Sequence, residues 1–162
     1  MRKLFLVVLS GIVLMGYLSC AKAPDAPACT NRSVAMDSAT LTHFAVQYAG
    51  DSTPLTLDST GLYYHIIKAG NDTIPNLNSH LTVNYVAKLM NNQIFDSASN
   101  SFLGGAYLYQ LIPGWQIGMP KIGVGGHIQL FIPSALAWGC AGITGVPADS
   151  CVYFDVTLLQ VN

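Results

Sequence analysis

Four short segments carry the side chains from which a site could be built. They are Val83-Asn84-Tyr85, Phe95-Asp96, Leu111-Ile112-Pro113-Gly114-Trp115 and Tyr153-Phe154-Asp155-Val156. In this order they supply several aromatic rings to set around one tryptophan, Trp115, with a carboxylate, Asp96, beside them. Such a set suits a hollow that binds an apolar group by shape and by excluding water. It does not suit chemistry that needs a strong nucleophile. Asp155 falls mid-strand and reads as structural.

The elements that must position these residues are legible from periodicity. Ala39 to Ala49 predicts a short helix, with Leu41, Phe44, Ala45 and Tyr48 at helical spacing, Asp37 or Ser38 as its cap and Gly50 as its stop. Strand patterns dominate afterwards. Leu62 to Lys68 is one, and Leu81 to Met90 is a second, with Leu81, Val83, Tyr85 and Ala87 sharing a face. Asn91-Asn92 suits a tight turn, because asparagine tolerates left-handed backbone, and Gln93 to Asp96 would return. Pro113 suits the first turn of a helix, where its missing N–H is not required. A helix of about two turns to Met119 is expected, ended by Gly118 and Pro120. His127 to Pro133 and Cys151 to Val161 are the last strands. Four to five antiparallel strands curved around one short central helix give an α+β domain. His65 and His127 are expected to face solvent, and Tyr63, Tyr64, Tyr107 and Tyr109 to pack on the sheet.

The first residues read as an address. Arg2 and Lys3 precede an almost wholly apolar run, Leu4 to Leu18, which is too short for a span of roughly 20 residues. It ends at Tyr17-Leu18-Ser19-Cys20, which resembles a bacterial lipoprotein cleavage box. Residues 1–19 are therefore expected to be a signal peptide and Cys20 the lipidated residue; the alternative is an ordinary cleaved signal or an uncleaved anchor. Residues 20–38, rich in Ala, Pro, Asp, Asn, Ser and Thr, read as a flexible tether. Residues 39–57 read as the helix and a linker, and 58–162 as the globular domain. The expected location is the cell envelope, lipid-anchored and facing the periplasm.

Composition narrows the partners. Charged residues make up 9% of the 162, and glutamate is absent. Nucleic acid binding requires a basic patch, which this chain lacks. No CxxC or HxxxH spacing points to zinc, so no metal is expected. Past Cys20, three cysteines stand in an exported chain, where disulfides persist. Cys140 and Cys151 flank a Gly- and Pro-containing loop, and a bridge between them would clip it. The rival pairing joins Cys29 to one of them and ties the N-terminal segment down. Three reduced thiols are the third possibility.

Residues about 60–162 resemble the FKBP-type peptidyl-prolyl isomerases. The resemblance runs through Val83-Asn84-Tyr85, Phe95-Asp96-Ser97, Leu111-Ile112-Pro113-Gly114-Trp115 and Gly125-Gly126-His127-Ile128. It continues through Ile132-Pro133-Ser134-Ala135-Leu136-Ala137-Trp138-Gly139 and Val146-Pro147, and closes at Phe154-Asp155-Val156-Thr157-Leu158. The tethered arrangement is similar to bacterial lipoprotein members. The resemblance implies a pocket of Tyr85, Phe95, Asp96, Leu111, Ile112, Trp115, Trp138, Val146 and Phe154, with Phe102 as a further wall. Trp115 would be the floor, and the Ile112 N–H would donate to a substrate carbonyl. Trp138 stands where the family usually has tyrosine, and its indole N–H is also a donor. Ala87 replaces a common glycine, and the loop before Leu111 is rebuilt around Tyr107 and Tyr109.

The implied activity is cis/trans isomerisation of X–Pro bonds in polypeptides, in aid of the folding of exported proteins. It calls for no cofactor. For Asp96 the functional reading is a carboxylate facing the reacting carbonyl or holding pocket geometry; the alternative is a turn cap. The competing function is a chaperone or peptide-binding module of the same fold that grips proline-containing segments without catalysis.

Overall fold

The computed structural model describes residues 28–49 and 55–162. The expected signal peptide, Cys20 and the expected tether up to residue 27 lie outside the described residues, as does Gly50. In chain order the elements are α1 (Val34–Ala49), β1 (Thr56–Leu57), β2 (Tyr63–Lys68), β3 (Leu81–Leu89), β4 (Ile94–Ser101), α2 (Pro113–Gly118), β5 (His127–Ile132) and β6 (Val152–Val161). Among the described residues the strands form one antiparallel sheet of six, in the order β1-β2-β5-β6-β3-β4. The sheet therefore exceeds the expected four to five strands by a two-residue edge, β1, too short to carry a period.

Side-chain alternation sends the two faces of the central strands into two cores. Ile128, Leu130 and Ile132 of β5 join Val152, Phe154, Val156 and Leu158 of β6 in the larger core, where Trp115 and Met119 pack on them. Phe131 and Tyr153 point the other way, against Leu41, Phe44 and Ala45 of α1. The sheet is thus covered on one face by α2 and on the other by α1. Helix α2 approaches β5 closely because it presents glycine there. A Cβ on Gly114 would lie 2.5 Å from the Ile132 side chain, and one on Gly118 2.5 Å from that of Leu130.

Helix α1 starts earlier than expected. It begins at Val34, so the last part of the expected tether is helical. Asp37 is not a cap. It is 1% exposed, and its carboxylate accepts hydrogen bonds from the Ser134 N–H (2.9 Å) and hydroxyl (2.6 Å). Asp37 thus belongs to the buried stripe with Leu41, Phe44 and Ala45, and pins the helix to the end of β5. A carboxylate interrupts an apolar pattern, which is why the stripe seemed to start four residues later.

The cysteines follow the rival pairing. Cys29 is bonded to Cys140, and Cys151 is a free, buried thiol. The expected Cys140–Cys151 bridge is ruled out because Cys151 faces the α1 core beside Phe131 and Tyr153. Cys140 faces the N-terminal segment instead, where its N–H donates to Asn31 Oδ1 at 3.0 Å. No helix of the described residues is long and apolar enough to cross a membrane.

Candidate functional site

Each ring reaches the site from a different element. Strand β3 brings Tyr85, β4 brings Phe95 and Asp96, β6 brings Phe154, and α2 brings Trp115. The register sets Tyr85 opposite Val156 and Ala87 opposite Phe154, so the β3 and β6 rings are near neighbours on one face. The turn at Asn92, in left-handed backbone at φ 68°, returns the chain as β4. That return brings Phe95 and Asp96 alongside. Pro113 opens α2, with Ile112 just before it in extended backbone (φ −58°, ψ 147°). Trp138 lies in the loop after β5, where Gly139 takes a φ of 55°.

The result is an open cavity of about 250 Å³, lined by Tyr85, Asp96, Leu103, Gln110, Leu111, Ile112, Trp115, Trp138 and Phe154. Trp115 is 4% exposed and meets Phe154 edge-on, with centroids 5.4 Å apart at 90°. Tyr85 meets Trp115 edge-on at 5.8 Å. Phe95 stands edge-on to both Phe154 (5.9 Å) and Trp138 (5.8 Å). Such edge-to-face contacts fix ring orientation as well as burying area. A cavity with rigid walls needs both.

The polar groups are few. The Tyr85 hydroxyl donates to Asp96 Oδ2 at 2.6 Å. Burial first, and the Asp96 carboxylate second, push the Tyr85 hydroxyl well above its ordinary pKa, so it stays a donor. The Ile112 N–H donates to no acceptor among the described residues. Its carbonyl starts α2 by accepting from Trp115 N–H at 2.9 Å. Gln116 fixes the segment before the helix: its side-chain amide donates to the carbonyls of Leu111 (2.7 Å) and Tyr109 (3.0 Å). No cluster of three or more His, Cys, Asp or Glu side chains is placed to hold a metal among the described residues.

Seven of the expected site residues line the cavity: Tyr85, Asp96, Leu111, Ile112, Trp115, Trp138 and Phe154. Phe95 supports it through ring contacts. Val146 is 1% exposed and packs in the core behind it, bridged to Ile143 in a tight turn. Phe102 is no wall; it is 46% exposed and its ring lies 5.4 Å from that of His80. Leu103 takes the place at the cavity instead, turned inward by left-handed backbone at φ 51°. Leu103, Gln110 and Gln116 escaped the sequence reading. The first depends on an unusual backbone angle, and the glutamines act through the fold of an irregular segment.

Two further expectations change. His127 does not simply face solvent: its Nε2 pairs with Asp155 Oδ1, while Tyr153 and Gln129 donate to Asp155 Oδ2 at 3.0 and 3.2 Å. Asp155 is therefore structural, as expected, but at the centre of a polar network. Tyr107 and Tyr109 do not pack on the sheet; they are 38% and 49% exposed and stack on each other.

Comparison with known proteins agrees with this architecture. A family model described as FKBP-type peptidyl-prolyl cis-trans isomerase matches residues 71–159. The FKBP-type peptidyl-prolyl cis-trans isomerase FkpA of Escherichia coli K12 is 42% identical over 108 residues, covering 64% of this chain and 39% of that protein. FK506-binding protein 1 of Saccharomyces cerevisiae is 38% identical over 94 residues, covering 56% of this chain and 82% of that protein. The crystal structure of Escherichia coli FkpA superposes with a TM-score of 0.65 at 35% identity, over 80% of this chain and 61% of that one. The sequence match spans well under half the length of the FkpA protein, and the structural match less than two thirds of it. Its sheet, its short helix and the matched segment together place it: the chain belongs to the FKBP-type peptidyl-prolyl cis-trans isomerase family.

Proposed function

We propose that this protein is a peptidyl-prolyl cis-trans isomerase that acts on proline-containing polypeptides in the cell envelope and assists folding of exported proteins. The observation that carries the reading is the convergence of Tyr85, Trp115, Trp138 and Phe154 on one cavity with the Ile112 N–H beside it. Rotation about an X–Pro bond crosses a barrier of about 20 kcal/mol, because amide resonance must be broken. The planar ground state is the more polar one, and water favours it. In a ring-lined hollow that preference is removed, and the twisted amide fits better than the planar one.

The roles follow from position. Trp115 is the floor on which the proline ring sits, with Tyr85, Phe154 and, behind them, Phe95 as walls. The Ile112 N–H donates to the substrate carbonyl and holds the peptide while the imide turns. Asp96 fixes the Tyr85 hydroxyl and lies at the cavity edge beside the rotating carbonyl. Leu111 and Trp138 bound the mouth. No acid, base or cofactor enters the step. Anchoring through lipid on Cys20 belongs to the same reading and is supported by the cleavage-box residues alone. Acceleration of cis/trans exchange in a Phe-Pro peptide, read by exchange NMR, is the test.

A further inference from the structure

Beside the cavity lies a column of rings that the isomerisation step does not use. Phe102 is 5.4 Å from His80, His80 is 3.9 Å from Tyr107, and Tyr107 is 5.4 Å from Tyr109 with their planes only 13° apart. Phe102, Tyr107 and Tyr109 are 46%, 38% and 49% exposed, and Leu77 on the neighbouring segment is 47% exposed. The column is held in place by backbone. His80 and Tyr107 form an isolated antiparallel bridge, and the N–H groups of Leu108 and Tyr109 donate to the carbonyls of Ser79 and Leu77 at 2.9 Å. An exposed stack fixed this way is not a mobile surface loop that happens to contain tyrosines.

Two observations point to its occupant. The column is continuous with the cavity. Leu103 follows Phe102 and Gln110 follows Tyr109, both line the cavity, and Gln110 Oε1 accepts from the Tyr107 N–H at 2.9 Å. The two segments that build it also lack carboxylate, ammonium and guanidinium side chains: no Asp, Glu, Lys or Arg occurs between Asp96 and Lys121, nor between Asp72 and Lys88. A surface of ring faces without such groups recognises uncharged, apolar and aromatic side chains by stacking and burial.

We infer that the column of His80, Phe102, Tyr107 and Tyr109 is a second subsite, which seats uncharged aromatic or apolar residues flanking the proline of an unfolded polypeptide. The inference rests on the isomerase reading of the adjoining cavity. It makes this protein selective for extended, apolar client segments, the stretches that a folded protein hides and an unfolded one exposes. The subsite lowers KM for long substrates and leaves kcat unchanged, since it touches no reacting atom.

The test compares three peptides with the same Phe-Pro core: a tetrapeptide, a longer peptide extended with uncharged aromatic residues, and one extended with Asp and Lys. Exchange NMR with the wild-type chain is expected to give a KM for the aromatic peptide at least about tenfold below that of the tetrapeptide. The charged extension gains nothing. The double variant Tyr107→Ser, Tyr109→Ser removes that advantage and leaves kcat/KM for the tetrapeptide within about twofold. Tyr109→Phe keeps the advantage, and an unchanged melting temperature shows that the double variant is folded. Equal KM values for the three peptides in the wild type, or an advantage that survives the double variant, would overturn the subsite. If the wild type fails on the tetrapeptide, the isomerase reading fails by itself. Anisotropy of a labelled aromatic peptide then decides on the column: binding lost in the double variant supports it, and binding unchanged refutes it. A neutral oligosaccharide that shifts the Tyr107 and Tyr109 resonances when the aromatic peptide does not would refute it as well.

Discussion

The Tyr85 hydroxyl and the Asp96 carboxylate are joined by a 2.6 Å hydrogen bond from β3 to β4 across the edge of the cavity. The bond fixes the one phenolic hydroxyl of the wall against the one carboxylate at the cavity. Charge-assisted bonds of this kind are stronger than neutral ones and hold geometry. Asp96→Ala and Phe95→Ala are each expected to lower kcat/KM by about tenfold or more, which is about 1.4 kcal/mol of transition-state stabilisation. Tyr85→Phe keeps the ring and is expected to cost less. Because burial and Asp96 raise the Tyr85 pKa, the hydroxyl keeps its proton in mildly alkaline solution. The contribution of Tyr85 to the rate is therefore expected to stay flat up to about pH 10, where an ordinary tyrosine is already half ionised. A rate unchanged in Asp96→Ala would remove the carboxylate from the mechanism.

The Cys29–Cys140 bond closes a loop across a separation of 111 residues. It ties the segment ahead of α1 to the loop that carries Trp138, and Asn31 adds its hydrogen bond to Cys140. Constraint of so long a loop in the unfolded chain is worth about 2–4 kcal/mol. The double variant Cys29→Ser, Cys140→Ser is expected to lose that much in urea unfolding. Cys151 is expected to resist alkylation in the native state at neutral pH, since burial raises its thiol from an ordinary 9.0 to about 12. Rapid labelling of Cys151 would contradict its place in the α1 core.

Asp58 accepts from Lys121 Nζ at 2.7 Å and from the Thr60 N–H and hydroxyl at 3.0 and 2.9 Å. The Lys121 bond first, and the Thr60 bonds after it, lower its pKa from an ordinary 3.8 to about 2. A depressed carboxyl stabilises the fold above its unfolded pKa and ceases to do so as pH falls through its folded one. The Asp58 contribution is therefore expected in full at neutral pH and to vanish between pH 3.8 and about 2. Asp58→Asn is expected to cost about 1 kcal/mol or less at pH 7, as for a partly exposed pair. It should also flatten the acid limb of stability against pH, and an unchanged limb would refute the assignment.

Much of this site was legible in the sequence because its residues sit in regular elements. Tyr85, Phe154 and Trp115 are fixed by strand alternation and by a proline-started helix, so period and order place them. Trp138 and Ile112 came from the family resemblance, since a loop tryptophan and a backbone N–H leave no periodic trace. Asp37 was misplaced because a buried carboxylate looks polar until its partner, Ser134, is seen 97 residues away. Phe102 and Leu103 exchanged roles because a left-handed leucine turns the chain at that point, and no residue type announces that angle. The cysteine pairing stayed open for a similar reason. Loop length alone favoured Cys140 with Cys151, while the direction in which Cys151 points is decided by the packing of α1.

Exchange NMR on a Phe-Pro peptide with purified residues 21–162 addresses the central claim, that the ring-lined cavity over Trp115 lowers the barrier to X–Pro rotation. Line broadening and cross-peaks between the cis and trans forms are expected to appear at catalytic protein concentrations and to fade in Phe95→Ala. A peptide that binds in the cavity, shown by shifted Trp115 and Tyr85 resonances, yet exchanges no faster than in buffer would contradict the claim and leave a peptide-binding module in its place.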